Sequence, residues 1–185
     1  MRQGIVITTS KYTKDFLNRC LDSLPRDWPV LVVSNNYEDV EVPDWVELVH
    51  NAWDGFELGG VYQGSERFDE FVHLSDSTVV HDRKLFDIMF TYPYSMYLCD
   101  GFFSHLGKYQ TKILEEVGIP IINNKMIGIH WENVWHKDYL AKDPMALQFD
   151  PPLPVHTDKF EEIHGQTRMV LENGYITKYK GTWGI

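Results

Sequence analysis

The sequence predicts an α/β fold: a single domain with a mostly parallel sheet flanked by helices, followed by a C-terminal hairpin and tail. In the first half of the chain, short apolar, β-branched runs alternate with helical stretches, and polar residues come directly after each run. A strong hairpin signal, Asn173-Gly174, separates two apolar runs near the end. The 185 residues, 43% of them hydrophobic, suffice for one well-buried core and are too few for two large domains.

The first three predicted elements are a strand, a helix and a strand. Residues 4–9 form a short apolar strand that ends in a polar loop. Residues 14–24 place their apolar side chains on one helical stripe, and Pro25 ends this helix. Residues 29–33 form a second buried strand, which ends on the polar residues 34–36. Because a right-handed crossover makes such strands parallel, we expect their polar ends to meet at one edge of the sheet.

The chain then leads to an acidic segment at the end of a buried strand. The predicted elements here are a strand at 46–50, a helix at 56–67, a strand at 70–74 and a helix at 82–90. The strand at 70–74 ends on Ser75-Asp76-Ser77, which we call the corner. Open α/β sheets place their ligand-binding groups at the carboxyl ends of strands. The corner is therefore the first candidate site.

Three glycines stand out in the helix that precedes the corner. Gly59, Gly60 and Gly64 weaken this helix intrinsically. We expect them to allow the close approach of another backbone or of a ligand.

The second half of the sequence is less regular. Its predicted elements are a strand at 96–99, helices at 108–117 and 126–140, a proline-rich loop at 143–154, and a hairpin of strands at 168–171 and 175–177. In the second helix, Trp131 and Trp135 are interpreted either as core residues or as a platform for an acceptor.

Charge and cysteine content restrict the class of protein. The formal net charge of −10 disfavours a role in coating duplex nucleic acid, although a basic tail keeps direct nucleic-acid binding open. Between Glu38 and Asp82 the chain is rich in carboxylates, which form either a solvated face or a region that favours a divalent cation.

Cys20 and Cys99 lie in apolar contexts and are predicted to be reduced core thiols. With no signal peptide and no apolar stretch of membrane-spanning length, we expect a cytoplasmic protein.

Several catalytic motifs are missing from the sequence. The phosphate loop GxxxxGK[ST] and the dinucleotide motif GxGxxG are both absent, which argues against nucleotide hydrolases of that type and against dinucleotide enzymes. GxSxG is also absent, and no HExxH zinc motif is present. The remaining option at the sheet edge is a diphosphate bridged to the protein by a metal ion.

The residues at this edge resemble a known family. A polar loop follows the first strand at Thr8, Thr9 and Ser10, the second strand ends at Asn35 and Asn36, and a glycine helix precedes an apolar strand that ends at Asp76. Over roughly residues 4–90 this pattern resembles the Rossmann-like GT-A fold of nucleotide-diphosphate-sugar glycosyltransferases. The corner is then a degenerate form of the family's DxD motif, with one Asp between two serines.

The resemblance implies a function and a division of the single domain, residues 1–185. It implies transfer of a sugar from a nucleotide-diphosphate sugar, with a UDP-sugar favoured, to an unknown acceptor such as a glycan, a protein or modified DNA. Residues 1–90 would bind the nucleotide sugar, and residues 91–185 would form the acceptor side and a closing tail. The expected metal cofactor is Mn²⁺ or Mg²⁺.

The resemblance also implies roles for particular residues. Those expected to bind the nucleotide sugar are Thr8, Thr9, Ser10, Asn35, Asn36, Gly59, Ser75, Asp76 and Ser77, with Lys178, Lys180 and Trp183 of the tail closing over the diphosphate. The expected metal ligands are Asp76 with His156, His164 or His130. An inverting reaction needs a general base, for which Asp100 is the first candidate and Glu132 the second. Asp100 is alternatively a simple turn residue, and the whole chain is alternatively a catalytically inactive GT-A-like binding or structural protein.

Overall fold

The computed structural model describes residues 1–10, 13–35, 39–53, 55–99, 106–122 and 125–181, apart from the side chains of Lys14 and of residues 125–133. The elements in chain order are β1 (Gln3–Thr9), α1 (Lys14–Ser23), β2 (Val30–Asn35), β3 (Val46–Asn51), α2 (Phe56–Ser65), β4 (Glu70–Ser75), β5 (Thr78–Val80), α3 (Lys84–Thr91), β6 (Met96–Cys99), β7 (Gly107–Gln110), α4 (Thr111–Val117), α5 (Lys125–Lys142), β8 (Leu147–Leu153), β9 (Phe160–Ile163), β10 (Gln166–Glu172) and β11 (Ile176–Gly181).

The main sheet is mostly parallel, as the sequence predicts. Within the described residues it has seven strands in the order β3-β2-β1-β4-β7-β6-β8. The pairs β1–β2, β2–β3, β1–β4 and β6–β8 are parallel, and β7 runs antiparallel to both of its neighbours. The chain first builds outward from β1 to β3 and then returns to place β4 on the other side of β1. The sheet therefore has its topological switch point between β1 and β4.

Helices cover both faces of this sheet. Side chains of α1 and α3, such as Leu21 and Phe86, pack with Ile5 and Ile7 of β1 on one face. Side chains of α2, α4 and α5 form the core on the other face, where β1 contributes Val6. Successive side chains of a strand point to opposite faces, so the apolar run of β1 is buried from both sides. None of the described helices is long and apolar enough to cross a membrane.

A smaller antiparallel sheet adjoins the first. Its described strands lie in the order β5-β11-β10-β9. The strands β10 and β11 form the predicted hairpin, and Gly174 in their turn has a φ of 86°, a conformation that favours glycine. The strand β5 follows directly after the corner and pairs with β11. The corner therefore connects the two sheets.

Two segments predicted in the second half are wrong in part. The helix predicted at 108–117 begins only at Thr111, because Lys108 and its neighbours form β7. There the Lys108 ammonium is buried and lies 3.0 Å from the Glu70 carboxylate, so a charged residue is accommodated inside the sheet. The predicted loop at 143–154 contains β8. This strand is at the edge of the sheet, where prolines such as Pro151 are tolerated.

The glycines of α2 bring this helix close to the sheet. A Cβ atom on Gly60 would lie 1.9 Å from Thr8 Oγ1, and one on Gly59 would lie 2.4 Å from Asn35 Oδ1. A Cβ atom on Gly64 would lie 2.8 Å from the Phe71 ring. The close approach was predicted for another backbone or a ligand, and the structure places side chains of the sheet there instead.

We expect Gly60→Ala to destabilise the fold by about 1–3 kcal/mol, because the added methyl group overlaps Thr8 Oγ1. This loss exceeds the gain of up to about 1 kcal/mol that alanine brings to a helix. Urea denaturation measures the change. Glu66→Ala, at the exposed end of the same helix, is the control and should change stability by less than about 0.5 kcal/mol. A Gly60→Ala variant as stable as the wild type would contradict the packing described here.

Candidate functional site

A small pocket lies at the switch point, where the carboxyl ends of β1, β2 and β4 meet. Its volume is about 100 Å³. Residues predicted to bind a nucleotide sugar line it: Thr8, Thr9, Ser10, Asn35, Ser75, Asp76 and Ser77. Thr13, Phe56 and Glu57 complete the lining and were not predicted. Pockets for whole small molecules usually measure about 300–1,000 Å³, so this one has room for only part of such a molecule.

Asp76 ties together the elements on both sides of the switch point. Its Oδ2 accepts hydrogen bonds of 2.6 Å from the hydroxyls of both Thr9 and Thr13, and its backbone N–H donates to the carbonyl of Thr8. Thr9 ends β1, and Thr13 directly precedes α1. The side chain of Asp76 is almost fully buried, with 2% exposed. The carboxylate therefore joins the end of β4 to the end of β1 and to the start of α1.

Burial is also the main influence on the acidity of Asp76. It raises the pKa of this carboxyl group from 3.8 to about 7, although the two hydroxyl donors favour the ionised form and lower it. The negative charge of Glu57 raises the pKa further, and the positive charge of Lys178 lowers it. Two acidic groups and one ammonium group thus interact at the pocket.

Lys178 reaches the corner from the second sheet. It lies opposite Thr78 in the pairing of β11 with β5, and its Nζ donates a 2.7 Å hydrogen bond to Ser75 Oγ. Ser75 Oγ also lies 3.1 Å from Ser77 Oγ and 3.3 Å from Thr78 Oγ1. The structure therefore brings Lys178 together with the corner. Two residues further along the same strand, Lys180 is exposed.

A chain of amides supports the wall of the pocket beside β2. Asn35 Nδ2 donates to the carbonyl of Phe56 at 2.5 Å, and Asn35 Oδ1 accepts from Asn51 Nδ2 at 2.8 Å. Asn51 Oδ1 in turn accepts from Gln63 Nε2 at 2.8 Å. Phe56 has a φ of 47°, which is uncommon for a bulky residue. These bonds hold the strained start of α2 at the pocket, and Gly59 leaves room for them.

His73 was not singled out from the sequence, although it lies directly beneath the pocket. It is fully buried in β4, and its Nε2 is 2.7 Å from Thr8 Oγ1. Its ring also lies against Gly60. The signal available in the sequence was a histidine within an otherwise apolar strand. That α2 packs against this histidine could not be read from the sequence.

The structure describes the side chains of two of the three histidines predicted to bind a metal, His156 and His164. His164 packs its ring edge-on against Phe16 at 6.2 Å, and His156 lies between β8 and β9. In the described part of the chain, no group of three or more His, Cys, Asp or Glu side chains is arranged to hold a metal ion. Asn36, Asp100 and Trp183 lie outside the described residues, as do the side chains of His130 and Glu132. Their predicted roles stay predictions.

Comparison with known proteins shows the fold alone. No protein-family model matches the sequence, and no curated protein does. A crystal structure of S. aureus TarS 1-349 matches with a TM-score of 0.57 and 8% identity, over 82% of this chain and 58% of that one. The same protein in complex with UDP-GlcNAc matches with a TM-score of 0.55 and 9% identity, over 86% of this chain and 60% of that one. A structure of S. aureus TarS matches with a TM-score of 0.55 and 9% identity, over 82% of this chain and 36% of that one.

The likeness confirms the predicted fold class, an α/β domain with a mostly parallel, GT-A-like sheet. The chain spans less than two thirds of the length of each of these structures.

The raised pKa of Asp76 predicts a pH dependence of stability. A carboxyl group whose pKa is higher in the folded state stabilises the fold when protonated, so this contribution is present below about pH 4 and is lost as the pH rises to about 7. We expect the wild type to lose stability relative to Asp76→Asn between pH 4.5 and 7.5, by a few kcal/mol at most. Chemical denaturation at several pH values measures this.

Asp22→Asn, on the exposed face of α1, is the control for this experiment and should keep the pH dependence of the wild type. A stability difference between wild type and Asp76→Asn that does not change with pH would show that Asp76 is not desolvated as described.

Proposed function

We propose that this chain is a glycosyltransferase that moves a sugar from a nucleotide-diphosphate sugar, with a UDP-sugar favoured, to an acceptor hydroxyl. The observation that carries the proposal is the convergence of predicted nucleotide-sugar residues in one polar pocket at the switch point. The fold supports it, since it resembles that of S. aureus TarS, for which a complex with UDP-GlcNAc exists.

The reaction requires little covalent chemistry from the protein. The bond between the anomeric carbon and the diphosphate oxygen breaks, and its electron pair stays on the nucleoside diphosphate. A new bond forms between the anomeric carbon and the acceptor oxygen, and the acceptor proton passes to a base. The protein must position both partners and neutralise the charge on the leaving diphosphate. For an inverting reaction, we propose Asp100 as the base, with Glu132 as the second candidate.

The pocket suits the part of the donor that carries hydrogen-bonding groups. Thr8, Ser10 and Ser77 offer hydroxyls, and Glu57 offers a carboxylate that can accept hydrogen bonds from sugar hydroxyls. Because the pocket measures about 100 Å³, the rest of the donor would extend over the edge of the sheet. We propose that Lys180 and Trp183 of the tail, and Asn36 after β2, contact it there. The acceptor would be a glycan, a protein or modified DNA.

A second candidate function is nucleotide-sugar binding without turnover. The observation that favours it is the engagement of Asp76 by two hydroxyl donors, which gives this residue a structural role. An assay for UDP released from a UDP-sugar in the presence of an acceptor distinguishes the two functions. A transferase releases UDP, whereas a binding protein forms the complex and releases no product.

Thermal unfolding in the presence of nucleotides tests the proposal. We expect UDP to raise the melting temperature more than uridine does, because the diphosphate contributes to binding at the corner. A ligand at one hundred times its dissociation constant stabilises by about 2.7 kcal/mol, which is readily measured. GDP and ADP serve as controls for the preference for uracil. If no nucleoside diphosphate shifts the melting temperature, with or without Mn²⁺, the proposed function is wrong.

A further inference from the structure

The side chains at the corner do not fit a divalent cation well. Mg²⁺ and Mn²⁺ prefer an accessible set of oxygen ligands around one or two carboxylates. The carboxylate of the corner belongs to Asp76, is almost fully buried, and already accepts two short hydrogen bonds at Oδ2. A cation at that oxygen would have to displace the hydroxyls of Thr9 and Thr13, which hold β1 and α1 against β4.

A positive charge is already present at the corner. Lys178 Nζ lies 2.7 Å from Ser75 Oγ, and the positive charge of Lys178 lowers the pKa of Asp76, the residue after Ser75. An ammonium at this position repels a divalent cation, since like charges a few ångströms apart inside a protein interact strongly. The same ammonium attracts an anion, against the negative charge of Glu57 in the pocket lining. Its bond to Ser75 uses one of its three N–H groups, and the described residues offer it no further hydrogen-bond partner.

The second sheet fixes where this charge lies. Lys178 is held by the pairing of β11 with β10 on one side and with β5 on the other. Leu171, opposite Lys178 in β10, is buried in the main core, as is Ile176 on the same face of β11. The ammonium is therefore anchored on a strand rather than on a mobile loop, and less conformational entropy is lost when it binds a ligand.

We propose that Lys178 neutralises the diphosphate of the donor in place of a divalent cation, and that Asp76 holds the corner in shape rather than binding a metal. This inference rests on the proposed function, since it concerns the same donor. In the transfer step, the electron pair of the broken anomeric bond stays on the diphosphate, and the Lys178 ammonium stabilises this added charge. Hydroxyls of the corner, such as Ser77, donate further hydrogen bonds to the phosphate oxygens.

Calorimetric titration of the full chain with UDP tests the proposal, once in EDTA and once in MnCl₂. We expect the dissociation constants in the two buffers to agree within about twofold. Lys178→Met should weaken UDP binding about tenfold or more in both buffers, because a hydrogen bond to a charged group is lost. Lys178→Arg, which keeps the charge, should restore most of the affinity. Lys137→Met removes the same charge from an exposed position on α5 and should bind UDP like the wild type.

Each contrary result has its own meaning. UDP binding that appears in MnCl₂ and is lost in EDTA would overturn the inference and leave the proposed function intact. Binding that is unaffected by both EDTA and Lys178→Met would overturn the role of Lys178. An absence of UDP binding in both buffers would overturn the proposed function as well. The comparison of buffers uses the wild type, so the test stands even if a Lys178 variant does not fold.

Discussion

The architecture of the site depends on the two hydroxyl hydrogen bonds that Asp76 accepts from Thr9 and Thr13. Parallel strands diverge at a switch point, and a crevice opens there because successive connections leave in opposite directions. Burying a carboxylate that accepts no hydrogen bonds costs several kcal/mol of folding free energy. The hydroxyls of Thr9 and Thr13 offset this cost for Asp76. The hydrogen bonds from Thr9 and Thr13 to Asp76 hold the end of β1 and the start of α1 against the end of β4 at the base of the crevice.

A second constraint acts from the opposite side of the sheet. Glycines of α2 allow this helix to lie against Asn35 and Thr8, and polar side chains fill the thin layer between helix and strands. Glu57 is placed at the pocket because α2 begins there. The walls of the pocket are thus fixed by bonds within the protein before any ligand arrives, which lowers the entropic cost of binding.

Much of the first half could be predicted because each strand carries its own local signal. The runs of β1, β2 and β4 are apolar and β-branched, and their polar ends identified Thr9 and Asp76 without knowledge of the fold. The strand β7 could not be predicted, since the burial of Lys108 depends on Glu70 of a neighbouring strand. The strand β8 was hidden by prolines that are tolerated only because it lies at an edge.

The site itself was predicted only in part, because local sequence patterns identify the ends of strands but not the contacts between distant elements. Residues that follow strands were found, whereas Thr13 and Glu57 reach the pocket through the packing of helices that no local pattern reveals. The contact of Lys178 with Ser75 depends on the second sheet and was not predicted, since the family resemblance implied only that Lys178 closes over the diphosphate.

The connection of the two sheets through the corner has a consequence for folding. Ser75 and Lys178 are 103 residues apart in sequence, so their contact closes a long loop. The first four parallel strands can pair during synthesis well before residue 178 emerges from the ribosome, and the corner acquires its ammonium only when the hairpin docks. Formation of the hydrogen bond between Lys178 and Ser75 would therefore report that the last third of the chain has folded, which makes it a natural probe of the final step in the assembly of this domain.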